Sequence, residues 1–478
     1  MFSYIEYRLH VAKQLPVGAN YGEATMTKRS RQSVLGSVSE PDEITSLDDI
    51  DWTFKRANTQ KYTHGLHKYP ARMVPQIVDN LLSFYINEGV IDQGDLIYDP
   101  FSGSGTTSVE ARLHGLNAEA NDINPFAVML SEAKANPLER NDLSDSRDSL
   151  LENLSSELRE VREEYESEGD VSWLELPEVR DGWFPQPQLF ELSLLRDRID
   201  EIEDEYGLEY ARFWRIVLSH TTRKVSYQRN GEFKRYRLSE EDREEHDPNL
   251  ESIFTKKVEE NYELMLEYSD VVDHSLDTTI HYSDSRSATD DVGEDIADIV
   301  ITSPPYGDHK TTVAYGQFSQ DPALLTGKVT YDEMRDVDKN GLGGKNEIVE
   351  PLSDLEEYSP ALKETLDALR EKEGRSDDAL NFFSDYYAVM KEVAKITKPG
   401  QPVAWVVANR TMSRVNIPTH LITIELCEHI GYEFDVNLPR EIPNKTMPLS
   451  NAPENVTGDT GELMSNENIV ILRAPETN

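Results

Sequence analysis

The stretch from Ile299 to Tyr306 carries the residue types best suited to chemistry and reads Ile-Val-Ile-Thr-Ser-Pro-Pro-Tyr. Its β-branched run is typical of a buried strand, and two consecutive prolines fix φ and remove two backbone donors, so the strand must end there. Open α/β sheets bind ligands at the carboxyl ends of their strands. The carbonyl groups of Ser303 and Pro304 lack a ladder partner and are therefore predicted to face a ligand, with Pro305 and Tyr306 following them.

A glycine-rich turn much earlier in the chain forms a second candidate site. The apolar strand pattern at 96–98 is followed by Asp-Pro-Phe-Ser-Gly-Ser-Gly-Thr-Thr at positions 99–107, and then by a helix pattern. Unpaired amides at the start of such a helix can hold a carboxylate, and the glycines at 103 and 105 let a ligand approach the backbone. Ser108 stands where the dinucleotide fingerprint needs its third glycine, so this turn disfavours NAD.

Two aspartates follow other predicted strands. Asp122 comes after the strand at 117–121, where a carboxylate can accept both hydroxyls of a ribose. The alternative role for Asp122 is the N-cap of the next helix, but Asn124 fits that role better. Asp284 comes after the strand at 278–282, and its alternative role is the capping of a turn.

These motifs resemble those of the amino-methyltransferases, enzymes that methylate the exocyclic nitrogen of cytosine or adenine in DNA. Ser303-Pro-Pro-Tyr306 resembles their catalytic motif, and positions 99–107 match their methionine-binding motif residue by residue. Tyr69-Pro-Ala-Arg-x-x-Pro75 resembles the amino-terminal motif that helps to close over the methionine end of S-adenosylmethionine. The resemblance implies this cofactor, with Asp122 at its ribose and Asp284 at its adenine. The implied cofactor-binding residues are Tyr69, Pro70, Asp99, Pro100, Phe101, Gly103, Ser104, Gly105, Thr106, Thr107, Asp122 and Asp284.

The resemblance gives the Ser-Pro-Pro-Tyr motif a mechanism. An aromatic exocyclic amine is a poor nucleophile because its lone pair is delocalised into the ring, so catalysis needs acceptors for its N–H groups. We assign this role to the Ser303 side chain and the Pro304 carbonyl, and expect Tyr306 to stack on a base flipped from the duplex. Proton loss can follow methyl transfer, so no general base is required. A proline pair that merely ends a strand beside a core tyrosine is disfavoured by the presence of the cofactor motif.

The first residue of the catalytic motif bears on the target atom. A serine there resembles the cytosine-N4 enzymes, so we expect a site-specific DNA cytosine-N4 methyltransferase. Adenine-N6 methylation of DNA or RNA is the alternative. Enzymes of that kind more often have aspartate or asparagine at this position. An alternative of another class is a catalytically silent nucleic-acid-binding module. The expected partner is double-stranded DNA, with a cognate restriction endonuclease as a further candidate, and the oligomeric state stays open.

Alternating strand and helix patterns predict an α/β fold, a Rossmann-like, doubly wound methyltransferase sheet that ends in an antiparallel strand pair. The alternation stops in the middle of the chain, where apolar spacing indicates an inserted, mainly helical domain. Either this insertion or a long polar loop after the catalytic motif is expected to read the target sequence. The predicted segments are 1–50 (weakly structured), 51–136 with 277–306 and 379–478 (catalytic domain), 137–276 (inserted helical domain) and 307–378 (irregular active-site loop).

A basic run inside the predicted insertion is the candidate DNA-binding surface. Its six cations have a single acid, Glu232, among them and are interleaved with Tyr227, Phe233 and Tyr236. Lysine and arginine contact phosphates and aromatic rings stack on bases, although charge runs are usually solvated faces. The predicted DNA-binding residues are Arg223, Lys224, Arg229, Lys234, Arg235 and Arg237.

The charge of the whole chain is opposite to that of most DNA-binding proteins. The chain of 478 residues has 48 basic and 90 acidic side chains, a formal net charge of −42 and a pI of about 4.6. Taken alone, this charge argues against a polyanionic partner. The acids are spread along the chain and 37% of the residues are hydrophobic, so disorder does not explain them. We expect a salt-rich, halophilic cytoplasm, where the Debye length falls to roughly 3 Å at 1 M salt.

Cysteine and histidine positions disfavour a metal site. Cys427 is the only cysteine, which excludes an internal disulfide and a multi-cysteine zinc site. His64 and His67 have no carboxylate or cysteine at a matching spacing, so we expect no metal ion. No apolar stretch approaches 18 residues, and a membrane association is not expected. A cytoplasmic protein is the resulting expectation.

Overall fold

The computed structural model describes residues 46–229, 235–307, 313–344, 352–372, 374–442 and 466–476. Short apolar runs in this part of the chain form a seven-stranded sheet and a separate two-stranded hairpin of β6 and β7. The strands are β1 (Leu96–Asp99), β2 (Asn117–Asp122), β3 (Thr278–Tyr282), β4 (Ile299–Thr302), β5 (Pro402–Ala408), β6 (Arg410–Met412), β7 (Val415–Ile417), β8 (Glu433–Glu441) and β9 (Asn466–Arg473).

The seven-stranded sheet has the order β3-β2-β1-β4-β5-β9-β8. Its first five strands are parallel, and β9 runs antiparallel between β5 and β8. β1 and β4 are neighbours, and the chain proceeds from β1 to β2 on one side and from β4 to β5 on the other. Such a reversal of strand order leaves a crevice at the carboxyl ends of the two strands. The predicted doubly wound sheet with its terminal antiparallel pair is confirmed.

Helices cover both faces of this sheet and fill the long connection between β2 and β3. Among the described residues they are α1 (Pro75–Asn87), α2 (Thr106–Leu113), α3 (Pro125–Ala135), α4 (Arg140–Leu151), α5 (Leu154–Glu168), α6 (Gln186–Tyr206), α7 (Leu208–Val225), α8 (Glu240–Glu244), α9 (Leu250–Ser269), α10 (Thr289–Val292), α11 (Tyr315–Leu325), α12 (Tyr331–Asn340), α13 (Leu352–Tyr358), α14 (Pro360–Glu371), α15 (Ser376–Ile396) and α16 (Thr419–Ile430).

The central strands bury both of their faces. In β4, Ile299 and Ile301 belong to the apolar core that contains Leu81 of α1. Val300, which points to the opposite face, belongs to the core that contains Phe383 of α15. Because both faces are covered, the strand reads as a continuous β-branched run rather than an alternating one.

Helices α4–α9 form a helical region, as predicted for the insertion. Its apolar core also includes residues of α3, α11 and α12, so it is continuous with the helices that pack beside the sheet. α7 packs against α6, α9 and α11. The apolar residues between Leu150 and Tyr165 belong to both α4 and α5, and Asn153 separates the two helices with a left-handed φ of 57°.

The expectation of an irregular loop at 307–378 is wrong for the residues that the structure describes. Most of them belong to α11–α14 and the start of α15. Their polar composition hides narrow apolar stripes, as in α14, where Leu362, Leu366 and Leu369 are buried on one face. A capping box of Thr330 and Glu333 starts α12 and is the local signal that could have revealed a helix.

The amino-terminal segment 1–50 lies almost entirely outside the described residues. Its last part contains a short 3-10 helix, Leu47–Asp49, whose N-cap Ser46 accepts a hydrogen bond from the Asp48 amide. Within the described residues, none of the helices has the length and apolarity needed to cross a membrane.

Candidate active site

An open cleft lies where the strand order reverses, at the carboxyl ends of β1, β2, β3 and β4. Its empty space of about 1080 Å³ is continuous with the surrounding solvent. The fold therefore brings the predicted cofactor and catalytic motifs to one place. The predicted residues that line the cleft are Tyr69, Pro70, Asp99, Pro100, Phe101, Gly103, Ser104, Thr106, Asp122, Asp284, Ser303 and Pro305.

Asp99 joins the two central strands at the cleft. Its Oδ1 accepts hydrogen bonds from the Thr302 hydroxyl at 2.6 Å and from the Phe101 amide at 3.0 Å. Burial raises the pKa of Asp99, and these hydrogen bonds oppose the rise. Because Thr302 immediately precedes Ser303, the contact fixes the start of the catalytic motif against the glycine turn.

The two glycines of the turn have different roles. Gly103 lines the cleft with φ 52°, and a Cβ there would meet no atom nearer than 3.7 Å. A Cβ on Gly105, which does not line the cleft, would lie 2.5 Å from Ser131 Oγ and 2.9 Å from Ser131 Cα. The space beside Gly103 can admit a ligand, whereas the absent side chain of Gly105 is required for the packing of α2 on α3.

Thr107 also has a structural position. Its hydroxyl donates to the Ile301 carbonyl at 3.2 Å, and the residue does not line the cleft. The hydrogen bond ties the first turn of α2 to β4. Gly105 and Thr107 support the turn from outside the cleft, and their expected cofactor contacts stay a prediction.

Asp122 ends β2 and presents its carboxylate to the cleft. Its Oδ2 accepts from the Gly103 amide at 2.9 Å and its Oδ1 from the Asn124 amide at 2.8 Å. Burial raises the pKa of Asp122 to about 6, and the nearby Asp99 adds to the rise. Asn124 is the N-cap of α3, since its side chain accepts from the Phe126 amide. A carboxylate has about four acceptor positions, so Asp122 retains two for a ligand.

Two tyrosines close one side of the cleft. The rings of Tyr69 and Tyr315 are stacked with centroids 5.9 Å apart, and both residues line the cleft. Asn124 Nδ2 donates to Tyr69 Oη and to Ser319 Oγ, each at 3.0 Å. Sequence reasoning gives Tyr315 no site role. The signal that could have found it is an aromatic residue only a few positions after the Ser-Pro-Pro-Tyr motif in the chain.

Asp284 caps the turn after β3 and also borders the cleft, and its expected adenine contact stays a prediction. Its Oδ1 accepts from the Arg286 amide at 3.0 Å, and its carboxylate pairs with the Arg286 guanidinium at 2.6 Å. Asp284 also lines the cleft, as Leu342 does. Arg286 donates to the carbonyl of Asn340 at 3.0 Å and thereby holds the end of α12 beside the turn after β3.

The four residues of the catalytic motif do not all line the cleft. Ser303 and Pro305 line it, whereas Pro304 and Tyr306 do not. Tyr306 Oη lies 3.4 Å from Ser303 Oγ and donates to Glu467 Oε1 at 2.9 Å. Burial raises the pKa of Tyr306 and Glu467 raises it further, so the hydroxyl keeps its proton. Sequence reasoning missed Glu467, because no local pattern connects it with a motif so far away in the chain.

The predicted DNA-binding cations do not share one surface. Arg235 is nearly fully buried, pairs with Asp321 at 2.8 Å and lies 4.1 Å from the centroid of the Trp183 ring. Arg223 lies over the Phe318 ring and donates to the Phe318 carbonyl at 3.0 Å. Both side chains hold α11 against the helical region, so their expected phosphate contacts are corrected to packing contacts.

The other cations of the run are exposed or lie outside the described residues. Lys224, Arg229 and Arg237 have exposed side chains. Arg237 also donates to the Gly182 carbonyl at 3.1 Å. Lys234 lies outside the described residues. Three of the six predicted cations are thus available to a phosphate group.

The two amino-terminal histidines have protein partners. His64 Nε2 lies 2.7 Å from Glu110 Oε1, and both side chains are buried. The His67 ring packs edge-on against Phe126 with centroids 5.5 Å apart. Burial lowers the pKa of both histidines well below the usual value, so both are neutral at pH 7.

Comparison with known proteins gives matches over most of the chain. A family model described as DNA methylase matches residues 10–133, and one described as D12 class N6 adenine-specific DNA methyltransferase matches residues 72–356. The type II methyltransferase M.MvaI of Kocuria varians is 35% identical over 432 residues, which cover 88% of this chain and 93% of that protein. The type II methyltransferase M.BsoBI of Geobacillus stearothermophilus is 23% identical over 431 residues, covering 79% and 80%.

Among solved structures, the rRNA methyltransferase aviRa from Streptomyces viridochromogenes covers 85% of this chain and 87% of its own chain. The TM-score is 0.27 and the sequence identity is 10%, so the likeness is remote.

Proposed function

We propose, from the premise that this chain belongs to the S-adenosylmethionine-dependent DNA amino-methyltransferase family, that it methylates the exocyclic N4 amine of cytosine within a specific DNA sequence. The observation that carries the proposal is the convergence of two distant motifs on one cleft. Ser303 and Pro305 border the same space as Asp99, Gly103 and Asp122. A catalytically silent nucleic-acid-binding module would have no need of this convergence.

The cleft has the donors and acceptors that fit S-adenosylmethionine. The open space beside Gly103 and the amide groups at the start of α2 suit the carboxylate of the methionine part. The two remaining acceptor positions of Asp122 suit the ribose hydroxyls, and Phe101, Asp284 and Leu342 would border the adenine. When bound, S-adenosylmethionine supplies a methyl group activated by its positively charged sulfur.

The remaining catalytic work falls to residues of this chain. The Ser303 hydroxyl lines the cleft and would accept a hydrogen bond from the target amine, which favours the tetrahedral geometry of a nucleophile. Proline has no polar side-chain atom, so the backbone oxygen of Pro304 would act as the second acceptor. The Tyr306 ring would stack on the flipped base, and the stacked pair of Tyr69 and Tyr315 would exclude water from the methionine end.

Adenine N6 is the second candidate target. The family model whose description names adenine matches residues 72–356, which include the whole Ser-Pro-Pro-Tyr motif. Our preference for cytosine depends on Ser303, the first residue of that motif. Both targets use the same acceptors, because each presents an exocyclic amine conjugated to its ring.

The helical region is the proposed reader of the target sequence. Lys224 is exposed in the last turn of α7, and Arg229 and Arg237, which follow this helix in the chain, are also exposed. α11 joins this region to the cleft, since Tyr315 lines the cleft and Asp321 pairs with Arg235. DNA bound by the helical region would therefore lie beside the catalytic motif.

Methylation of unmodified DNA tests the proposed function. The purified protein would be incubated with S-adenosylmethionine and DNA from a host without modification enzymes, and the nucleosides measured by mass spectrometry. We expect 4-methylcytosine and no 6-methyladenine. The appearance of 6-methyladenine alone would replace the cytosine assignment, and cofactor binding without either product would support a silent binding module.

A further inference from the structure

Glu467 connects the candidate catalytic motif to the terminal strand pair. It lies on β9, where its backbone pairs with Ala408 of β5 on one side and with Arg440 of β8 on the other. Its side chain is largely buried and its Oε1 accepts the hydrogen bond of the Tyr306 hydroxyl at 2.9 Å. The strand that carries this carboxylate is thus held on both edges, and its position relative to Tyr306 is fixed by the sheet.

Arg440 forms an ion pair with Glu467. Its Nη1 pairs with Glu467 Oε2, which leaves Oε1 for Tyr306. The Arg440 side chain is almost fully buried, and its Nε donates to the Trp52 carbonyl at 2.8 Å. A buried carboxylate is costly without a partner, and the arginine offsets that cost while leaving one oxygen directed at the tyrosine.

We infer that Glu467 is a positioning residue that sets the direction of the Tyr306 ring for stacking on the target base. This inference rests on the proposed function, because it needs a base to stack on. It extends the site from the Ser-Pro-Pro-Tyr motif to the terminal strand pair, which no sequence motif marks.

The geometry of a phenol explains how one hydrogen bond can do this. The hydroxyl oxygen lies on the axis about which the ring rotates, so an acceptor at a fixed point sets the direction in which the ring extends. The O–H bond prefers the plane of the ring, so the same acceptor also favours one ring plane. A hydroxyl that donates to a carboxylate further enriches the ring in electrons, which strengthens its attraction for the positive charge that develops on the methylated amine.

A double-mutant cycle tests the inference on the full chain. Tyr306→Phe removes only the hydroxyl and leaves the Glu467–Arg440 pair intact, whereas Glu467→Gln removes the charge. We expect each variant to lower kcat about tenfold with an unchanged Kd for S-adenosylmethionine, and the double variant to lose no more than the worse single variant. Glu433→Gln, an exposed glutamate on β8, is the matched control and should keep full activity. Full activity of Tyr306→Phe would overturn the inference, because it isolates the hydrogen bond from folding.

A second measurement needs no methyl transfer and separates the inference from the proposed function. The chain has 22 tyrosines, and with 13C at the phenolic carbon, the signal lost in Tyr306→Phe identifies Tyr306. That signal should shift in Glu467→Gln and stay unchanged in Glu433→Gln. An unshifted signal would overturn the inference. A shifted signal in a protein that methylates no DNA would instead show that the contact exists and that the proposed function is wrong.

Discussion

Ser303 is the single side chain on which both the proposed rate and the proposed target atom depend. It follows β4 directly, and the Thr302–Asp99 hydrogen bond of 2.6 Å fixes the chain at that point. Its hydroxyl borders the cleft that Asp99 and Gly103 also border. Its contribution should therefore be made to the transition state and not to cofactor binding.

Replacing Ser303 with alanine should lower kcat by about 100-fold and leave the Kd for S-adenosylmethionine within twofold. The reason is the loss of an acceptor that acts only as the amine becomes a nucleophile, and single lost contacts of this kind cost about 10²–10³ in kcat. Single-turnover methylation and calorimetric cofactor binding measure the two effects. Ser287→Ala, at an exposed serine outside the cleft, is the control. Equal losses of rate and affinity would contradict the assignment.

If Asp122 binds the ribose as proposed, its carboxylate should make cofactor affinity depend on pH. Burial raises its pKa to about 6, so it is ionised above that pH and protonated below it. An ionised acceptor binds a hydroxyl more strongly by about 1 kcal/mol, so affinity should rise about fourfold as the pH increases from 5 to 7.5. Calorimetry with S-adenosylmethionine at each pH measures this rise.

The Asp122→Asn variant is the control for that titration. It cannot ionise, so its affinity should be lower at pH 7.5 and nearly independent of pH. A wild-type affinity that does not change between pH 5 and 7.5 would refute the role of Asp122.

At the scale of elements, the packing of α2 on α3 holds the glycine turn in place. Gly105 has φ 76°, and a Cβ there would lie 2.5 Å from Ser131 Oγ. Gly105→Ala should therefore destabilise the fold by about 1–3 kcal/mol through strain and overpacking. Thermal unfolding measures the loss. Gly103→Ala, where a Cβ would meet no atom nearer than 3.7 Å, should lose less stability and more cofactor affinity, and the opposite order would contradict the separation of roles.

The elements that could be predicted are those whose signal is local. β1, β4 and the glycine turn are recognisable because burial on both faces produces apolar runs and because a tight turn needs positive φ. α12–α14 are less visible, since each buries only a few residues and is otherwise polar, as in α12, where Met334 and Val337 are the buried ones.

The site residues that sequence could not supply are those brought in by topology. Tyr315 reaches the cleft because α11 packs on α7, and Glu467 reaches Tyr306 because β9 inserts next to β5. Topology also removes a predicted site residue. The basic run favours a phosphate contact for Arg235, but the fold pairs its side chain with buried Asp321. Periodicity and composition specify which face is buried, but not which distant charge will meet it.

For the whole molecule, which has a formal net charge of −42, added salt should have opposite effects on fold stability and on DNA binding. Self-repulsion between the acidic side chains weakens as salt screens it, so the fold should become more stable as salt is added. Contacts between cations and DNA phosphates weaken as salt is added, because counterions are no longer released favourably. A chain that works in high salt should therefore use few phosphate contacts.

A potassium chloride series tests the stabilising effect. The melting temperature, refolding yield and activity should all rise from dilute buffer towards 1 M salt. Replacing Glu160, Glu166 and Glu168, exposed acids on α5, by glutamine should raise the melting temperature in dilute buffer and have no effect at 1 M. Full stability and activity in dilute buffer would contradict a salt-adapted surface.

The same potassium chloride series measures how steeply DNA binding depends on salt. Of the six cations in the basic run, Arg223 and Arg235 are engaged with α11, and Lys224, Arg229 and Arg237 are exposed. Each neutralised phosphate contributes about −0.9 to the slope of log K against log salt concentration, so three contacts give a slope of about −3. Lys224→Gln should reduce that slope by about one, whereas Lys363→Gln, an exposed lysine on α14, should leave it unchanged. A slope twice as steep would require phosphate contacts that the exposed cations of this run cannot provide, and would place the DNA on another face of the molecule.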